Sequence, residues 1–279
     1  MYWYDGRFCS EVSSDDVLAS SPFNDAGLRF GASVFTTMRV HGQDLEHRRS
    51  QFSTHCDRLT HSIKAFNWDL PDWPSIHKGC SQLAAHYSVI RITVFSDGTE
   101  WITGRSLPTQ LFTQQQTGIT GWLAPPTYAR SLPTHKTGNY LACWLARQAA
   151  QNHGAQAAVL TNERGDWLET ATGNLWGWKS GQWYTPIGKS IGNQCLPGLM
   201  RDYLVQVLSQ EGASVCIQPW DDALARSFDA IAYSNCVVEL IPIHTILNER
   251  TTLKYNSQHE SLKWLRQRLA SFAECCDDS

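Results

Sequence analysis

Lys136 and Glu169 are the residues of this chain whose types and spacing could do chemistry together. They lie in the stretch KTGNYLACWLARQAAQNHGAQAAVLTNERGDWLETATGN, Lys136 to Asn174. A lysine amine can condense with an aldehyde. A carboxylate at the nitrogen of a heteroaromatic ring keeps that nitrogen protonated, so the ring can draw in electrons. The segment reads as a lysine opening a helix, then a turn, a buried strand, a hairpin and a short strand carrying the glutamate. A lysine at a helix start is mildly unfavourable, because cations prefer the other end of the helix dipole. That mismatch fits a working lysine better than a solvated one.

Three more segments offer ligand-holding groups. Cys195-Leu196-Pro197-Gly198-Leu199-Met200-Arg201 is a loop entering a helix, and N–H groups at a helix start suit phosphate. Tyr233-Ser234-Asn235-Cys236 ends a strand with hydroxyl and amide groups. Arg58, in HCDRL, carries a guanidinium that can grip an anion with two donors. A helix start, a strand-end turn and a surface arginine are the plain alternatives for these three. Thr170, Thr172, Gly173 and Asn174 follow Glu169 as a small polar run with room for a ligand.

The elements that would position these groups can be read from periodicity and breakers. Val34 to Val40 and Ser88 to Phe95 (SVIRITVF) read as strands, and Thr54–Phe66 and Pro74–His86 as helices. Residues 104–118 are polar and rich in Gln and Thr, and Gly121–Ala124 is a short strand. Pro125, Pro126 and Pro133 bracket a stiff connection. We therefore expect an N-terminal domain over 1–120, a linker over 121–130 and a C-terminal domain over 131–279 that holds Lys136. In that second part a helix runs from Lys136 to about Gln151. Strands follow at Ala157–Thr161, Trp167–Thr170, Leu175–Trp178 and Gln182–Tyr184. Leu199–Gln210 is a helix, Ala230–Ser234 a strand and Leu262–Phe272 a terminal helix. The class is α+β.

Composition narrows the function. The 279 residues are 42% hydrophobic and 18% charged, enough for one large core or two. A net charge of −3 argues against nucleic acid as the main partner. Nine cysteines, an odd number without a CxxC pair, suggest neither a disulfide framework nor a metal site. Reduced thiols in a cytoplasmic protein are expected. The start, MYWYDGRFCS, shows no secretory signal, and no run approaches a membrane span. The twelve tryptophans are scattered and read as packing residues. The acidic tail AECCDDS, with Cys275 and Cys276, is expected to fray.

Taken in order, RFGASVFTTMRV, HCDRLTHS, KTGNYL, LETATGNLW, LPGLMR and YSNCVVELIPI resemble the class IV, fold type IV, pyridoxal-phosphate enzymes. The resemblance runs from about Phe30 to Ile243. It implies a two-domain α+β fold of the D-amino-acid aminotransferase type, with pyridoxal 5'-phosphate in the cleft between the domains. It implies that Lys136 carries the cofactor as a Schiff base and transfers protons, and that Glu169 pairs with the ring nitrogen. Arg58 and the N–H groups of Leu199 and Met200 would hold the phosphate, with the Asn235-Cys236 turn nearby. Tyr140 would lie near the phenolic oxygen. A homodimer is implied as well.

Within that family the chain is most similar to aminodeoxychorismate lyases. Phe35-Thr36-Thr37 stands where branched-chain aminotransferases usually carry Phe-Glu-Gly. In the lyases a threonine at the position of Thr37 lies near the cofactor and helps move a proton. Gly198-Leu199-Met200-Arg201 is similar to the lyase GIMR rather than the transaminase GITR. Asn235 matches the lyase asparagine. Two features depart from the pattern: SDGTEWITGR has fewer glycines than the lyase stretch, and Cys236 replaces a hydroxyl residue of the transaminases. The implied reaction turns 4-amino-4-deoxychorismate into 4-aminobenzoate and pyruvate, a step toward folate. The substrate has two carboxylates, for which Arg91, Arg105 and the amide of Asn235 are the candidates. An aminotransferase for branched-chain or D-amino acids is the main alternative, and a binding protein without catalysis the second.

Overall fold

The computed structural model describes residues 1–9, 26–186, 195–248 and 251–274. Cys275 and Cys276 lie outside the described residues. The chain divides into two compact units, one of Met1–Pro108 with His135–Tyr140, the other of Thr109–Thr134 with Leu141–Ser279.

The first unit contains β1 (Tyr2–Tyr4), β2 (Arg7–Cys9), α1 (Ala26–Phe30), β3 (Ser33–Arg39), α2 (Phe52–Ala65), α3 (Trp73–Ala84), β4 (Val89–Phe95) and β5 (Glu100–Arg105). Its strands form one antiparallel sheet in the order β2-β1-β5-β4-β3. Strand alternation sorts the residues onto two faces. Val34 and Met38, Ile90, Ile92 and Val94, and Ile102 pack with Leu59 and Ile63 of α2 and Ile76 and Leu83 of α3. The intervening residues, Phe35, Thr37, Arg91 and Thr93, therefore belong to the opposite face. Thr37 stands directly across from Arg91, and Phe35 from Thr93.

The free edge of β3 is covered by the Lys136 segment. Phe35 N–H donates to Lys136 O at 2.9 Å and Gly138 N–H to Ser33 O at 2.6 Å, with an antiparallel bridge between Val34 and Thr137. Gly138 is required by this approach, since a Cβ there would run into Ser33 Oγ. This corrects the expected helix start: Lys136 is extended, and α5 begins only at Leu141. Pairing with a strand far earlier in the chain overrides the local helical pattern.

The second unit contains α4 (Leu111–Thr117), β6 (Ile119–Leu123), α5 (Leu141–Asn152), β7 (Ala157–Thr161), β8 (Trp167–Thr170), β9 (Gly173–Lys179), β10 (Gln182–Thr185), α6 (Leu199–Gln210), β11 (Val215–Ile217), α7 (Asp222–Arg226), β12 (Ala230–Asn235), β13 (Glu239–Leu247), β14 (Thr252–Lys254) and α8 (Glu260–Glu274). The strand path β9-β12-β13-β6-β7-β8 returns from β8 to β9, so six strands close into a barrel. Closure removes the exposed edges that an open sheet would leave. Leu204, Val207 and Leu208 of α6 and Leu262, Leu265 and Leu269 of α8 pack with Ala230 and Ala232 of β12 and with Trp176.

The domain division thus differs from the expected 1–120, 121–130 and 131–279. β6 pairs in parallel with both β13 and β7, which takes residues 119–123 into the second unit. The β3 pairing takes His135–Tyr140 into the first. The polar stretch before residue 118 also contains a helix, α4. Trp167, Trp176, Trp183 and Trp220 are fully buried packing residues. Among the described residues no helix is long and apolar enough to cross a membrane.

Candidate functional site

In the first unit the Lys136 amine lies over aromatic rings. Its Nζ is 4.7 Å from the Phe35 ring centre and 5.5 Å from that of Tyr140. The two rings meet edge to face at 5.4 Å. The Arg91 guanidinium carbon sits 3.6 Å from the Phe35 ring centre, close enough for cation–π attraction. Strand register then brings Thr37 to the same face as Arg91. Lys136, Tyr140, Thr37 and Arg91 are therefore gathered around Phe35. Arg91 Nε donates to Thr93 Oγ at 3.4 Å. Burial lowers the Arg91 pKa, while Tyr140 acts in the opposite sense. Arg105 is exposed, faces Val89 across β4–β5 and donates to Ser106 O at 3.2 Å. It shares the sheet face of Arg91 but lies further along it.

Arg58 reaches the sheet from α2. Its Nη2 donates to Thr36 Oγ at 2.5 Å, and Thr36 Oγ meets His55 Nδ1 at 2.5 Å. Thr36 and His55 are both completely buried. The adjacent threonines thus divide: Thr36 joins Arg58 on the helix side, and Thr37 joins Arg91 on the Lys136 side.

In the second unit Glu169 is a buried carboxylate on β8. Its Oε1 is 3.1 Å from Arg130 Nε, and both side chains are under a tenth exposed. The Nε–H does not aim along a hydrogen bond, so charge and proximity make this contact. Oε2 accepts the Leu196 N–H at 3.2 Å, and Asn174 Nδ2 donates to the carbonyl of the same Leu196 at 2.8 Å. Two residues of the LETATGN segment thereby clamp the loop that leads into α6. Gly198 completes the fit, since a Cβ there would run into Asn174 Oδ1. Gly198 caps α6 without any side-chain hydrogen bond. The N–H groups of Leu199 and Met200 fall in the first turn, where a helix has no internal acceptor for them.

The Asn235 amide is engaged by backbone. Its Oδ1 accepts from Val237 N–H at 2.9 Å and Val238 N–H at 3.0 Å, and Nδ2 donates to Thr172 O at 3.1 Å. These bonds shape the turn that carries Cys236, which is buried. Burial, and then the Glu169 charge, push the Cys195 thiol up to about 12. With its side chain buried, this fits a packing residue. Sequence reasoning missed Arg130, Thr36 and His55. A histidine three places before Arg58, one helical turn away, was the only available hint.

The sequence pattern of the amino-transferase class IV family matches residues 33–246. A search of curated proteins finds no match to the chain. Solved structures share the fold at low identity. The branched-chain amino acid aminotransferase of Escherichia coli is 21% identical with a TM-score of 0.78, covering 97% of this chain and 93% of that one. A proposed 4-amino-4-deoxychorismate lyase from Legionella pneumophila is 18% identical with a TM-score of 0.77, covering 92% and 97%. Another branched-chain amino acid aminotransferase, solved with pyridoxamine 5'-phosphate, is 18% identical with a TM-score of 0.79, covering 98% and 94%.

Proposed function

The chain belongs to the amino-transferase class IV family, and on that premise we propose that it is a pyridoxal 5'-phosphate-dependent 4-amino-4-deoxychorismate lyase. The donor set suits the cofactor. A lysine amine lies over aromatic rings, and a buried carboxylate stands beside a buried cation. A guanidinium and a helix start without a side-chain cap offer phosphate donors. The bound cofactor supplies an electron sink for the chemistry at the substrate amine. On this reading Lys136 would hold its aldehyde carbon and Glu169 its ring nitrogen. Arg58 and the N–H groups of Leu199 and Met200 would hold its phosphate, with Tyr140 near the phenolic oxygen. Asn235 and Cys236 shape the neighbouring turn.

The observation that carries the lyase reading is Thr37 facing Arg91 on the sheet face that holds Lys136. The substrate amine would displace Lys136, and the freed Lys136 amine would take the proton from the ring carbon that bears nitrogen. The adjacent carbon–oxygen bond breaks, and enolpyruvate leaves. Thr37 would relay that proton from Lys136 to its terminal carbon, giving pyruvate. The proton removed equals the proton returned, so neither water nor an oxidant is consumed. Arg91 receives a substrate carboxylate, and Arg105, further along the same face, is a candidate for the second. On this reading the product lies on the route to folate and the enzyme acts in the cytoplasm. A homodimer belongs to the same reading. It is supported by exposed Leu141, Trp144 and Leu145, which share one face of α5.

The test supplies chorismate, glutamine and an aminodeoxychorismate synthase to the purified protein. Formation of 4-aminobenzoate and pyruvate in equal amounts supports the lyase. No product from cofactor-loaded protein rejects it, and amino-acid and 2-oxoacid pairs then test for transamination.

A further inference from the structure

A buried relay stands behind Arg58. Arg58 can only donate, so Thr36 Oγ is an acceptor in the 2.5 Å contact with Nη2. The Thr36 hydroxyl proton then needs its own acceptor, because the residue is sealed from water. His55 Nδ1, at 2.5 Å, is the one the geometry provides. Nδ1 must therefore be the bare nitrogen, which puts the ring proton on Nε2. Burial first, and then the charges of Arg58 and Lys136, keep the imidazolium from forming. His55 Nε2 has no hydrogen-bond partner among the described residues although it is buried. Such a donor is costly. The local fold retains it while Nδ1 serves Thr36.

We infer that His55, held neutral with its proton on Nε2, is a positioning residue that acts through Thr36 to aim Arg58 at an anion. The inference rests on the reading that Arg58 grips the cofactor phosphate. Thr36 has one proton to give, and giving it to His55 leaves a lone pair to accept from Arg58 Nη2. Without the His55 acceptor, the Thr36 proton would compete for the space that the Arg58 guanidinium occupies.

The test is titration of the cofactor-free protein with pyridoxal 5'-phosphate and, separately, with pyridoxal, which lacks the phosphate. The dissociation constant of pyridoxal divided by that of pyridoxal 5'-phosphate isolates the phosphate grip from the ring and lysine contacts. Thr36→Val and His55→Leu are each expected to reduce that ratio about tenfold with pyridoxal affinity unchanged. His55→Asn, whose amide oxygen replaces Nδ1 as acceptor, should restore it. Nitrogen NMR of the wild type should show an unprotonated, hydrogen-bonded Nδ1. If Arg58→Leu lowers the ratio while Thr36→Val and soluble, folded His55→Leu leave it intact, the relay is rejected and the Arg58 reading stands. If Arg58→Leu itself has no effect, the phosphate reading fails and the relay with it.

Discussion

Replacing Glu169 with alanine should destabilise the barrel unit before any substrate is considered. The side chain is 6% exposed and its partner Arg130 is 8% exposed. Removing the carboxylate leaves a guanidinium in a poorly hydrated place, and breaking a buried pair from one side costs about 3–5 kcal/mol. The Leu196 N–H loses its acceptor as well, a loss of about 1–3 kcal/mol where no water enters. These effects overlap, so about 4 kcal/mol is the working figure. At roughly 2–4 °C per kcal/mol for a unit of this size, the cofactor-free Tm should fall by about 8–16 °C. Glu169→Gln should fall by less, because its amide oxygen can still accept from Leu196. Adding Arg130→Met to Glu169→Gln removes the buried guanidinium and should regain part of the loss. The assay is calorimetry of the cofactor-free proteins. A Glu169→Ala protein within about 1 kcal/mol of wild type, or a double variant no better than Glu169→Gln alone, would refute the reasoning.

Glu100 offers a parallel case in which the donors are neutral groups. Its Oε1 accepts from Trp3 Nε1 at 2.9 Å, Gly6 N–H at 3.0 Å and Ser75 Oγ at 2.9 Å. Glu100→Ala should cost about 3 kcal/mol in urea unfolding. Gly198→Ala forces a Cβ against Asn174 Oδ1, and cofactor affinity should drop at least about tenfold by absorbance titration, as expected for one disturbed charge-assisted contact. Stability should decline in acid through His55 and His41. Burial first, then Arg49, Arg39 and His47, hold His41 at about 3, and His55 also lies well below 6.5. Between about pH 3 and 6.5 the unfolded chain binds more protons than the folded one, so this stability is present above pH 6.5 and lost as pH falls. Calorimetry in buffers of different ionisation heat should show proton uptake on unfolding at pH 5, and His55→Asn should reduce it by about one proton.

The strands and helices that follow a clear period were legible, and so was the two-part α+β class. Strand alternation separates the Thr37 face from the Thr36 face, and the SVIRITVF run marks β4. What escaped was set by pairing between distant segments. Lys136 sits in KTGNYL directly before a helical pattern, and its extended state depends on Ser33 and Phe35, which no local signal reveals. Arg130 lies in a proline-bracketed connection, and its pairing with Glu169 has no periodic signature. β13 carries Pro242, which argues against a strand inside a sheet. Its flanking residues still hold the register, with Pro242 opposite Ala232. In HCDRL the arginine drew notice because guanidinium binds phosphate. The histidine one turn earlier needed Thr36, from another element, before its role could be seen.

The most direct measurement is to saturate the protein with pyridoxal 5'-phosphate, reduce it with borohydride, digest it and locate the labelled lysine by mass spectrometry. The account predicts a single pyridoxyl adduct on Lys136, lost in Lys136→Ala with the visible absorbance of the bound cofactor. An adduct on another lysine, or a cofactor that binds with no reducible link to Lys136, would contradict it.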